Sequence, residues 1–307
     1  MKHSIVVITY NQEKTIKDCL DSIFTQSTFP YEVIVSDDCS TDRTWEILQS
    51  YKRLYPDTLT LYQNEKNIGI FPHINKLKSY VSGDFVNLVA GDDMLPEGIL
   101  TKYDLFIMNN HLNIQDSFII YTNSLLLYPN GEQKMVSNYV NRNISPFDLT
   151  FSDAFYVWET GMSITLFKQS PEMKTDIGYQ ADWLFHIERL LKCEKYYFIN
   201  VPGYIYRMNV GVTAASKALD LLKSKLQVIS IFKDKHSNII SDNSRKVLTF
   251  YEMWIHYVNS PSLYSYLRMV MFFFRIQGIL PCNAEMKGNY RVIIPISIKK
   301  IIKRLMK

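Results

Sequence analysis

The chain has 307 residues, 47% apolar and 21% charged, enough to bury a full core and too apolar for a largely disordered protein. Its net charge of +4 is concentrated at one end: from Cys282 onward Lys287, Arg291, Lys299, Lys300, Lys303, Arg304 and Lys307 stand against Glu285 alone, a local +6 that leaves the rest at −2. This argues against a nucleic-acid-binding body and for a basic tail with its own partner.

The first hundred residues alternate strand and helix signals. Ser4 to Thr9 reads as a strand, followed by a helix that Asn11 can cap and whose apolar positions Ile16, Leu20, Ile23 and Phe24 recur at helical spacing. Tyr31 to Ser36 is a second strand, and Ser40 or Thr41 caps a second helix with Trp45, Leu48 and Leu54 inward. A strand at Leu59 to Gln63, a helix at Phe71 to Val81 and a strand at Asp84 to Val89 follow, with Pro96 opening the next helix. Repeated strand-helix-strand units predict a parallel sheet covered on both faces. After residue 115, Phe118 to Leu127 and Glu132 to Val136 flank a Pro129-Asn130-Gly131 turn, which adds antiparallel strands. Ser163 to Phe167 reads as a strand, Ala181 to Cys193 as a helix, and Tyr196 to Asn200 and Tyr204 to Arg207 as two more strands. From about Ala214 the pattern is helical to the end, with a soft boundary near residue 212.

Cys19, Cys39, Cys193 and Cys282 show no paired spacing, so the reading is reduced, packed thiols in the cytosol rather than a disulfide framework or zinc site. The start, MKHSIVVITYN, turns polar within a strand's length and reads as no secretory signal.

Acidic clusters stand where apolar runs stop. Thr9-Tyr10-Asn11 after the first strand faces Ser36-Asp37-Asp38 after the second, offering an aromatic ring and a carboxylate acceptor for a nucleoside; the same Asp-Asp also fits a turn with a helix cap. No G-x-G-x-x-G is present, which disfavours a dinucleotide site. Ala90-Gly91-Asp92-Asp93 ends the fourth strand, where one or two carboxylates suffice for a hard cation that keeps water and substrate phosphates in its shell; a solvated turn is the alternative.

In these segments, together with Asn67-Ile68-Gly69, Asn75 and Gly83-Asp84-Phe85, the chain resembles the family 2 glycosyltransferases over roughly residues 3 to 208. The resemblance implies the GT-A fold: an α/β, Rossmann-like, mixed but mostly parallel sheet with helices on both faces over residues 1–212, plus a helical C-terminal region over 213–307. It implies donor-nucleotide contacts from Thr9, Tyr10, Asp37, Asp38, Asn67, Asp92 and Arg207, and Mg²⁺ or Mn²⁺ ligation by Asp93. Ala90 and Ile74 depart from the family, which often has Asp and Arg there. Asp182, after Tyr179-Gln180-Ala181, resembles the acidic motif that supplies the base of an inverting transfer; a helix cap is the alternative. His186 reads as packed, or as supporting a neighbouring site residue, rather than as a ligand. Gly211-Val212-Thr213 resembles a mobile loop over the donor, and the aromatics from Phe151 to Trp158 fit core packing or acceptor stacking.

Ile298, Ile301, Ile302 and Leu305 share one helical face in the basic tail, which suits an anionic membrane surface. The sequence therefore predicts a metal-dependent, inverting glycosyltransferase. It would take a nucleotide-diphosphate-sugar donor and a glycan acceptor, lipid-linked, in capsule, O-antigen or similar surface-polysaccharide synthesis. Its place would be cytoplasmic, peripheral on the inner face of the plasma membrane, with no nucleic-acid partner. The alternative is an inactive sugar-nucleotide-binding or scaffold subunit. The reading requires Asp38, Asp93 and Asp182 to line one cleft.

Overall fold

Every residue of His3–Thr9 (β1) is buried, as a central strand covered on both faces must be. The computed structural model describes residues 1–136, 160–174, 176–178, 181–210 and 218–276. Backbone contacts divide the chain into two units: Met1–Tyr139, Tyr156–Asp176 and Glu188–Ser216 form the first, and Val140–Phe155, Ile177–Ile187 and Lys217–Lys307 the second.

In the first unit β1 lies parallel to Glu32–Asp37 (β2) and to Phe85–Ala90 (β4), and β2 lies parallel to Leu59–Gln63 (β3). Thr160–Ser163 (β7) runs antiparallel to β4 and to Phe118–Leu127 (β5). Gln133–Val136 (β6) pairs antiparallel with β5, and Lys195–Arg207 (β8) pairs parallel with it. The sheet order is β3-β2-β1-β4-β7-β5-β6 with β8 on β5. This is the mixed, mostly parallel sheet that the sequence leads one to expect.

Alternation along the strands feeds two layers. Ile5, Val7, Val33, Val35 and Val89 form one core with Ile16–Phe24 (α1), Thr44–Leu54 (α2) and Ile99–Asn109 (α4). Ile70–Leu77 (α3) is buried on the other side through His73, Ile74 and Leu77, with the His73 ring bonded to Ser36 Oγ. The hairpin turn forms as its residues suggest: Gly131 takes φ 83°, and Tyr128 N–H donates to Glu132 O at 2.9 Å.

Five expectations need correction. Ser163 to Phe167 is not a strand: β7 stops at Ser163, whose Oγ accepts from Leu166 N and caps a helix, Ile164–Gln169 (α5). A short apolar run fits either period, and the capping serine decides. Asn11 caps nothing, because it sits at φ 51° and its Oδ1 accepts from Thr41 N across the next loop; α1 begins later, at Ile16. Neither Ser40 nor Thr41 caps α2, since Asp42 accepts from Thr44 N at 2.9 Å. Pro96 does not open α4, which starts after Gly98 at φ 69°. The two last expected strands are one, β8, with register shifts opposite Tyr121 to Ser124. Cys19, Cys39 and Cys193 are free thiols, the first buried and the other two half-buried; Cys282 lies outside the described residues.

The second unit holds the start of Ala181–Leu190 (α6), then Ala218–His236 (α7), Asp242–Asn259 (α8) and Leu263–Ile276 (α9). Lys225 is almost fully buried with its ammonium over the rings of Tyr251 at 4.1 Å and Trp183 at 5.3 Å. Ser241 caps α8 by accepting from Ser244 N at 3.1 Å.

Gly161, between β4 and β5, has no room for a side chain: an added Cβ would fall 2.2 Å from the buried Phe85 ring. Gly161→Ala should therefore lower unfolding stability by about 1–3 kcal/mol through overpacking, read as a fall in denaturant midpoint at unchanged slope.

Candidate active site

The chain runs from β1 through β2 to β3 on one side, then returns to place β4 on the other side of β1. At that reversal the connections leave β1 and β4 in opposite directions, opening a crevice at their carboxyl ends. Thr9 and Tyr10 leave β1 there, and Ala90-Gly91-Asp92-Asp93 leaves β4. Gly91 N–H donates to Ile8 O at 2.9 Å, and a Cβ on Gly91 would lie 2.4 Å from Gln12 Oε1 and 3.0 Å from Thr9 Cβ. Any side chain here would push Gln12 aside and crowd Thr9, so glycine eases the close approach of the acidic loop to β1.

Asp93 is buried, and each of its oxygens accepts a hydrogen bond from β8. Tyr204 Oη donates to Oδ2 at 3.0 Å, and Arg207 N–H donates to Oδ1 at 2.8 Å. The Tyr204 hydroxyl also accepts from Ala90 N–H at 3.1 Å, which directs its own proton to Asp93. A two-way backbone bridge between Met94 and Ile205 fastens the loop to β8. Arg207 Nε donates to Asp92 O at 2.9 Å and an Nη donates to Asp18 on α1 at 3.0 Å. Arg207, expected at the donor diphosphate, is thus engaged in positioning the acidic loop.

Electrostatics follow from this burial. Desolvation and then the neighbouring Asp92 charge push Asp93 up to about 7, against the Arg207 N–H and Tyr204 hydroxyl. Burial likewise raises Asp92, opposed by its hydrogen bond from Gln12 and by Arg207. Two crowded carboxylates favour a cation beside them. The acceptors Thr9 Oγ1 and Gln12 Oε1 are also buried without a hydrogen-bond partner. An all-oxygen set of this kind fits Mg²⁺ or Mn²⁺. No cluster of three or more His, Cys, Asp or Glu side chains suited to a metal occurs among the described residues, so donor phosphates and water would complete the shell.

The loop after β2 is built differently. Asp37 is buried and accepts from Ser40 N and Gln63 Nε2, each at 3.0 Å, and from Ser40 Oγ. Asp38 is buried and accepts from Asn64 Nδ2 at 2.8 Å, Ile68 N at 2.9 Å and Gly69 N at 2.8 Å. Its own N–H donates to Thr9 O. Both carboxylates, expected at a nucleoside, bond the loops on either side of them, while Tyr10 and Asn67 stand exposed. Ile74, where the family resemblance leads one to expect Arg, is buried in α3.

In the second unit, Asp182 lies in the first turn of α6 and is half-buried, with Oδ1 accepting from Trp183 N at 2.8 Å. Burial pushes its carboxyl up to about 6, against the N–H groups of Trp183 and Asp182 itself. His186 is buried, as expected. Tyr179, Gln180, the segments Phe151 to Trp158 and Gly211 to Thr213, and the basic tail lie outside the described residues. The sequence reading missed Tyr204, Gln12 and Asp18, because their roles arise only when β8, α1 and the loop after β1 meet at the acidic loop.

An open sheet with acidic loops at its reversal point is the GT-A arrangement. The chain belongs to glycosyl transferase family 2, whose profile matches residues 4–160. A poly(ribitol-phosphate) beta-glucosyltransferase of Bacillus spizizenii is 28% identical over 266 residues, covering 77% of this chain and 40% of that protein. The poly(ribitol-phosphate) beta-N-acetylglucosaminyltransferase TarS of Staphylococcus aureus is 38% identical over 119 residues, 37% of this chain and 20% of the relative. The chain thus spans well under half of these curated relatives. The crystal structure of S. aureus TarS 1-349 in complex with UDP-GlcNAc shares the fold with TM-score 0.62 at 21% identity, covering 92% of this chain and 82% of that one. A mannosyltransferase from Pyrobaculum calidifontis, solved with GDP-Man and Mn²⁺, has TM-score 0.52 at 16% identity, covering 91% and 84%.

Tyr204→Phe leaves Ala90 N–H and one Asp93 oxygen buried without their partner. It should cost about 1–3 kcal/mol of stability in denaturant unfolding; a variant as stable as the parent would remove the clasp from the account.

Proposed function

We propose that the chain is an inverting glycosyltransferase that moves a sugar from a nucleotide-diphosphate-sugar donor to a hydroxyl of a glycan acceptor, lipid-linked, in surface-polysaccharide assembly. The observation that carries this is the pair Asp92-Asp93, desolvated at the reversal of the sheet and held by β8. The family and its poly(ribitol-phosphate) glycosyltransferase relatives support it.

In this reading Tyr10 and Thr9 border the nucleoside, with Asn67 beside them and with Asp37 and Asp38 keeping the surrounding loops in register. Asp92 and Asp93 face the ribose and diphosphate, and Asp93 would hold Mg²⁺ or Mn²⁺. When bound, that cation supplies positive charge against the leaving diphosphate. Arg207 holds the acidic loop in place and keeps part of its guanidinium for the donor. Asp182 accepts the proton of the attacking hydroxyl, a role that its raised pKa suits. The protein would work on the cytoplasmic face of the plasma membrane, reached through its basic tail.

The commitment of Asp38 and Arg207 to internal bonds, with Ile74 buried, favours one competing reading: a subunit that binds sugar nucleotide without turnover. A panel of UDP-, GDP- and TDP-sugars, assayed for hydrolysis and transfer with and without Mn²⁺ and for binding by calorimetry, separates the two. Turnover with one donor supports the enzyme, and binding with no hydrolysis supports the subunit.

Two outcomes follow. Asp182→Asn should lower transfer by about 10²- to 10⁴-fold while calorimetric donor binding is unchanged; full activity would refute the assignment. The base works only when ionised. With the Asp182 pKa raised to about 6, kcat should be flat above that pH and fall about tenfold per unit below it, and the Asn variant should lose this limb.

A further inference from the structure

Helix α9 is 14 residues long and, among the described residues, packs on α8 through one side. Met269 is buried there, with Val270, Phe272 and Phe273 against Phe250 and Tyr257. The opposite face carries Tyr264, Leu267 and Met271 at helical spacing, 75%, 48% and 59% exposed. Arg268 and Arg275 stand exposed on that same face. Large apolar side chains grouped in the open mark a binding surface.

Charge selects the occupant. No Asp or Glu occurs between Glu252 and Glu285. A second copy laid face to face would set arginines against arginines, and the chain's own +6 tail has the same sign. The partner must be anionic and accept apolar side chains. Arginines interleaved with Leu, Met and Tyr along a single helical face suit a helix lying in a headgroup plane, with the apolar groups at the acyl boundary and the guanidiniums at lipid phosphates. Among the described residues no helix is long and apolar enough to cross a membrane.

We propose that the exposed face of α9 docks the protein on an anionic lipid bilayer. This rests on the proposed function only for the membrane location, not for any catalytic residue. The test is flotation of the full chain with phosphatidylcholine vesicles, with and without phosphatidylglycerol, at low and high salt. The parent should partition onto anionic vesicles at low salt and much less onto neutral ones. Leu267→Glu with Met271→Glu, and separately Arg268→Gln with Arg275→Gln, should each lower partitioning by about tenfold, with unfolding midpoint and sugar-nucleotide hydrolysis unchanged. Unchanged partitioning in both double variants would overturn the proposal. So would loss confined to a Lys299→Glu, Lys303→Glu control, or a parent dimer in sedimentation that the α9 variants dissolve, which would make this face a self-interface. Because hydrolysis is read separately, failure here leaves the glycosyltransferase reading intact.

Discussion

Two neighbouring carboxylates taken out of water repel each other and resist ionisation, and the acidic loop after β4 depends on how that repulsion is opposed. Asp93 is held by a hydroxyl and a backbone N–H from β8, and Asp92 is backed by Arg207 through its carbonyl. Backbone and hydroxyl donors satisfy the oxygens without cancelling the charge outright. The pair is therefore positioned but remains electrostatically unsettled, with both carboxyls raised. A fully neutralised pair would have little affinity left for a cation or for the polar groups of a substrate.

The sheet explains why the pair stands where it does. Reversal of strand order beside β1 opens the crevice, and Gly91 lets the loop lie against Thr9 and Gln12. At the end of β2, buried aspartates tie loop to loop: Asp38 links the end of β1 to the segment before α3, and Asp37 closes the turn after β2. Acidic residues thus serve two ends in one crevice. Some hold backbone in place, and others lie side by side with their carboxyls raised by burial.

Much of this could be read from the chain. The strands that carry the site are long, apolar and bounded by turn residues, so their ends, and with them Asp37, Asp38, Asp92 and Asp93, could be located from local pattern alone. Capping was less visible. Asn11 and Ser40 are good helix caps by type, yet their side chains bond across neighbouring loops instead, and only tertiary contact decides between the two uses. Ser163 misled in the other direction, as a capping residue hidden in an apolar run. The roles of Tyr204 and Arg207 had no local signal, because the groups they hold lie over a hundred positions away. The resemblance that placed Arg207 and Asp38 at the donor had no means of showing how far the protein itself already engages them.

The pairing of Arg207 with Asp18 joins residues 189 positions apart, and Asp93 waits for a donor 114 positions downstream. A chain emerging from the ribosome folds from its amino end, so strands β1 to β4 can assemble while β8 is still unsynthesised. Until translation passes that strand, the nascent sheet carries its acidic loop without the restraint that gives it shape, and a product cut short before it would keep much of the architecture but no finished crevice.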